Sequence, residues 1–124
     1  MMVAAVFLCS VVSVQAAPAA NINASRAFEM VEKQEDLYIL DVRTPQEFFQ
    51  ARLEGAKLIP ISQLQGRVDE LPKSRPILVY CAVGSRSGAV ASYLARLGFD
   101  RVYNLYGGIY AWQLRRYPVL KGPG

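Results

Sequence analysis

Apolar positions along the chain gather into short runs separated by polar, glycine- and proline-bearing stretches. Leu37-Tyr38-Ile39-Leu40-Asp41-Val42 and Pro76-Ile77-Leu78-Val79-Tyr80 are nearly continuous runs of strand formers, the pattern of strands buried on both faces. Lys57–Ile59 and Val102–Leu105 predict two shorter strands. Between them the apolar spacing turns helical. Ala27, Phe28, Met30 and Val31 share one helix face, with Asn23 or Ser25 as the cap. Thr44-Pro45-Gln46-Glu47 reads as a helix start: Thr44 caps, Pro45 takes the first turn, and Glu47 closes a capping box. Ser62 to about Leu71 sets Leu64, Val68 and Leu71 on one side. Ser87 through Leu97 predicts a helix ended at Gly98. Gly107-Gly108 predicts a turn into a last helix, Ile109–Arg116, stopped by Pro118. Strands alternating with helices predict an α/β domain, a central mostly parallel sheet flanked by helices on both faces. Ligands of such sheets bind beyond the carboxyl ends of the strands, which directs attention to the loops after Val42 and Tyr80.

The first stretch follows a different pattern. Val3 to Val14 is an apolar run with no charged residue before Arg26, and Val14-Gln15-Ala16 or Gln15-Ala16-Ala17 offers small residues for cleavage. These are the marks of a secretory signal over residues 1–17, although its first residues lack Lys and Arg. The expected mature protein starts near Ala17 or Pro18 and is periplasmic or secreted. No apolar stretch reaches the roughly 18–20 residues of a membrane-spanning helix, so no integral span is expected.

The chain has 124 residues and 52% apolar content, enough for one small packed domain. Lys and Arg number 14 against 10 Asp and Glu, a mild surplus without basic runs. That balance suits a small anionic ligand and argues against nucleic acid. Histidine is absent, which excludes Ser-His-Asp and Cys-His catalysis and histidine metal sites together. The only cysteines are Cys9 and Cys81, and removal of residues 1–17 would leave Cys81 alone, with no internal disulfide.

Chemistry concentrates after the second buried strand. In Cys81-Ala82-Val83-Gly84-Ser85-Arg86-Ser87-Gly88 the cysteine stands at the strand's carboxyl end. The small residues behind it let successive N–H groups turn inward as an anion-binding nest. The following helix start and Arg86 add positive charge, and all three features favour a thiolate over a thiol. A free cysteine is more often a small buried hydrophobe, but that role needs neither the glycine-bearing loop nor the arginine.

This loop resembles the active-site loop of single-domain rhodaneses, the sulfurtransferases. Further segments agree in the family's order: Leu40-Asp41-Val42-Arg43-Thr44-Pro45 with Glu47-Phe48, Gly55-Ala56 ahead of Ile59-Pro60, and Gly107-Gly108-Ile109 with Ala111-Trp112. The expected export signal and small size make the chain similar to periplasmic one-domain members of the phage-shock type, and the resemblance implies a rhodanese-like domain over residues 22–120. It implies that Cys81 takes a sulfane sulfur from thiosulfate or a similar anionic donor and becomes a persulfide. The sulfur then passes to cyanide, a thiol or a protein acceptor. The backbone of Ala82, Val83, Gly84, Ser85, Arg86 and Ser87 would cradle that sulfur. Asp41 and Arg43 match the family's Asp-x-Arg and take a supporting role near the loop, while Arg52 stands where the family usually carries a histidine. No metal or organic cofactor is implied. Tyr110 and Trp112 read as rim or core aromatics.

Two other readings share the fold. A Cys-based phosphatase or arsenate reductase needs five residues between cysteine and arginine, and only four separate Cys81 from Arg86. A binding module or a persulfide carrier without its own turnover would use the same scaffold.

Overall fold

The two long apolar runs form the middle of the sheet. In the computed structural model, which describes residues 2–11 and 18–124, they become β2 (Tyr38–Asp41) and β4 (Ile77–Tyr80). They pair in parallel, with Leu40 opposite Val79 and Asp41 opposite Tyr80. β5 (Val102–Leu105) lies on the other side of β4, and β3 (Lys57–Leu58) is the edge beside β2. A further edge strand, β1 (Ala20–Ile22), pairs with β5 and sets Asn21 opposite Asn104. The five strands run in the order β1-β5-β4-β2-β3, and every pairing is parallel.

Consecutive residues of β4 serve opposite faces, as the two-residue period of a strand requires. Ile77 and Val79 point into a core closed by Leu64, Val90, Ala91 and Leu94. Those residues come from α3 (Ile61–Arg67) and α4 (Ser85–Arg96). Leu78 and Tyr80 point into a second core with Ala27, Met30, Ile109 and Trp112. These belong to α1 (Ala24–Lys33) and α5 (Gly108–Leu114). Trp112 is buried among Phe28 and Tyr117, which stack at 4.2 Å, and its indole N–H donates to the Pro118 carbonyl at 2.9 Å. Tyr110 is on the rim.

Local chemistry explains most element starts. The Asn23 side chain accepts from the Arg26 amide at 2.8 Å and caps α1. Thr44 and Glu47 form the full capping box of α2 (Pro45–Gln50), with Pro45 in its first turn. Several boundaries differ from the sequence expectation, among them those of α5, which runs Gly108–Leu114 and not Ile109–Arg116. α3 starts at Ile61 rather than Ser62 and passes at Val68 into a single 3₁₀ turn ending at Glu70. α4 starts at Ser85, two residues early, because Gly84 at φ 99° makes the entry turn. Among the described residues regular structure begins at Ala20, ahead of residue 22, since β1 is held by β5 and not by any apolar pattern of its own.

The tail is ordered by Arg52, whose side chain is buried. Its guanidinium donates to the carbonyls of Phe48, Gly122 and Pro123 at 2.7–3.2 Å, and its backbone pairs with Leu120. Residues 2–11 have no helix or strand and are exposed; the expected cleavage point around Ala16 and Ala17 lies outside the described residues. Among the described residues no helix is long and apolar enough to cross a membrane.

Candidate active site

β4 delivers Cys81 to the carboxyl edge of the sheet, where the chain must turn sharply to enter α4. Cys81 is fully buried, and several donors point at its Sγ. The Gly84 amide lies at 3.1 Å, the Ser87 hydroxyl at 3.3 Å and the Ser87 amide at 3.4 Å. Gly84 is required twice over. Its φ of 99° is unfavourable for a side chain, and a Cβ there would press on the Gly107 nitrogen and the Leu105 carbonyl at 3.1 and 3.2 Å. Burial works against a charged sulfur, but bonds from the Ser87 hydroxyl and from the amides of Ser87, Gly84 and Val83 outweigh it. The Cys81 thiol therefore ionises below its usual range.

The inward turn of these amides depends on where the loop's carbonyls go. The amides of Ile109 and Tyr110, in the first turn of α5, donate to the carbonyls of Cys81 and Ala82 at 2.9 and 3.1 Å. α5 approaches so closely that Gly108, at φ 63°, has no room for a Cβ against the backbone of Cys81 and Ala82. Asn104 fixes a further carbonyl of the loop. Its amide nitrogen donates to Gly84 O at 3.2 Å and to the Asn21 side chain at 2.9 Å. Neither Asn104 nor the docking of α5 was foreseen from the sequence; an Asn within an apolar strand run was the one available signal.

Ala82 and Gly84 are half-buried, Val83 and Ser85 are exposed, and Ser87 is buried behind the sulfur. Thus Ser87 and Gly84 hydrogen-bond the sulfur, and neither Ala82 nor Ser85 does. The positive charge that Arg86 brings to the loop is paired. Both of its outer nitrogens bind the Glu47 carboxylate at 2.9 Å. The Arg86 bonds, against some burial, hold the Glu47 carboxyl at about 2. Arg86 is pushed up first by Glu47 and only then by charge on Cys81.

Asp41 and Arg43 are likewise committed to each other. The Arg43 guanidinium binds both Asp41 oxygens at 2.7–3.2 Å, donates to the Ala51 carbonyl, and lies 5.3 Å over the Tyr80 ring. Both are buried. The pair stands one strand away from Cys81 and holds the β2–α2 turn that carries Glu47; it makes no hydrogen bond to the cysteine loop.

A buried sulfur ringed by amide and hydroxyl donors at a strand-to-helix turn suits a nucleophile that holds one extra atom. The chain as a whole is similar to known proteins of one family. The model of the rhodanese-like domain matches residues 23–115. A sulfurtransferase of Allochromatium vinosum is 38% identical over 90 residues, covering 73% of this chain and 84% of that one. The thiosulfate sulfurtransferase GlpE of Coxiella burnetii is 36% identical over 87 residues, 70% of this chain and 80% of the relative. The crystal structure of a rhodanese-related protein from Thermoplasma volcanium superposes with a TM-score of 0.75 at 34% identity, over 82% of this chain and 97% of that one. With its sheet order, its cysteine loop and its relatives in agreement, the chain belongs to the rhodanese-like domain family.

Proposed function

We propose that this sulfurtransferase moves a sulfane sulfur from thiosulfate, or a donor of similar chemistry, through a persulfide on Cys81 to a thiophilic acceptor. The Cys81 thiolate attacks the outer sulfur of thiosulfate. The S–S bond to the sulfonate breaks, sulfite leaves with the electron pair, and Cys81 is left carrying a persulfide anion. Cyanide or a thiolate, on a small molecule or on an acceptor protein, then attacks the terminal sulfur and the Cys81 thiolate returns. The observation that carries this reading is the convergence of the Gly84 and Ser87 donors on one buried sulfur. Donors fixed in advance stabilise charge on either sulfur without reorganising. The phosphatase alternative loses support from Arg86, which is turned to Glu47 and not into the loop.

Cys81→Ser removes the nucleophile while nearly conserving volume, so it is expected to abolish transfer and keep the circular dichroism and melting profile of the parent. Retained transfer would overturn the mechanism. We further propose that residues 1–17 are an export signal, on the strength of the apolar run from Val3 to Val14 and of a domain whose first strand starts at Ala20. N-terminal sequencing of exported protein is expected to begin at Ala17 or Pro18; Met1 would refute it.

A further inference from the structure

The loop from Cys81 to Ser87 contains one charged residue, Arg86. A doubly negative donor approaching the sulfur would meet that guanidinium already engaged in two parallel bonds of 2.9 Å to Glu47, the planar pairing at which arginine and carboxylate fit best. Glu47 is held from its own side too. It closes the capping box of α2 with Thr44, whose position follows from the turn anchored by Asp41 and Arg43. The carboxylate is thus fixed on the one cation of the loop. The two side chains keep 35% and 28% of their surface exposed, so the pair is partly screened and still felt by solutes beside it.

We propose that Glu47 is a specificity-determining residue: by neutralising Arg86 it turns the loop away from dianionic sulfur donors such as thiosulfate and toward neutral or singly charged ones, such as organic persulfides. As a statement about sulfur donors this rests on the sulfur-transfer reading. Its electrostatic content can be read at Cys81 without any turnover.

The probes are iodoacetate and iodoacetamide, which are nearly equal in size and differ by one negative charge. Both react with the thiolate, so a change in thiol ionisation cancels from the ratio of their rates. The rates are taken at Cys81 by peptide mass, because Cys9 is a second thiol. Glu47→Gln preserves the capping box, which accepts either residue, and removes the charge facing Arg86. The iodoacetate-to-iodoacetamide ratio is expected to rise about two- to fivefold at low salt, the range of a partly exposed charge pair, and the rise should fade at high salt. Glu47→Asp keeps the charge and should stay near the parent. An unchanged ratio in Glu47→Gln, or an equal rise in Glu47→Asp, would overturn the proposal. Should Glu47→Gln fold poorly, the parent itself gives the answer. A ratio nearly independent of ionic strength marks a neutral loop, and one that falls as salt is added marks an uncompensated cation and defeats the proposal. In turnover, Glu47→Gln should lower KM for thiosulfate relative to that for an organic persulfide by a similar factor. A shifted alkylation ratio with no transfer from either donor would leave the role of Glu47 standing and remove the sulfur-transfer reading instead.

Discussion

At the scale of single residues, the site is a contest over the charge on Cys81. Burial penalises the thiolate, and the Ser87 hydroxyl with the amides of Ser87, Gly84 and Val83 reverses that penalty. The pH dependence of alkylation at Cys81 should therefore show a midpoint below that of the same cysteine in the unfolded chain. Ser87→Ala deletes one donor and should move that midpoint up by about one unit, the worth of a hydrogen bond to a charged group. An unmoved midpoint would mean that the hydroxyl does not act on the thiolate. The sign carries over to stability. Because the folded state ionises Cys81 more easily than the unfolded chain, its contribution is complete above about pH 8.5 and lost as pH falls through the folded value. The cysteine, the glycine-bearing loop and Ser87 were legible in the sequence because they are neighbours in it. The partner of Arg86 was not, because Glu47 lies 39 positions away and only the fold brings them together.

Among the elements, the short helices matter more than their length suggests. The capping box of α2 could be read directly from Thr44-Pro45-Gln46-Glu47, since capping is settled within four residues. The role of α5 could not. Gly107-Gly108 reads as a turn, whereas the structure uses Gly108 to let the first amides of α5 reach the carbonyls of Cys81 and Ala82. Gly108→Ala would put a Cβ into that backbone at a left-handed φ, at an expected cost on the order of 3 kcal/mol, with transfer falling alongside. Gly66→Ala is the contrasting case. Gly66 lies in α3 with ordinary φ and open space around its Cα, so alanine there should raise stability by up to about 1 kcal/mol. Urea midpoints of the two variants separate these expectations. Similar midpoints would mean that the contact between α5 and the loop is not as close as described.

Over the whole molecule, the buried parallel strands β2, β4 and β5 and the helices on both faces followed from hydrophobic pattern, because strands covered twice are largely apolar. The edges did not. β1 has three residues and little apolar content, and its place beside β5 also brings Asn21 to Asn104 and so to the loop carbonyl of Gly84. Arg52, a charged residue in an unremarkable stretch, is buried because the carbonyls of Phe48, Gly122 and Pro123 converge on it. Such dependence on distant partners has no trace in local pattern. The support through Asn21 and Asn104 ends at the loop around one sulfur atom, and the most direct test is made there. The intact mass of the protein is taken after treatment with thiosulfate and again after cyanide, with the modified peptide assigned by fragmentation. The expected result is a gain of one sulfur atom on Cys81 that cyanide removes. No gain on Cys81 from thiosulfate or from an organic persulfide would contradict the persulfide mechanism.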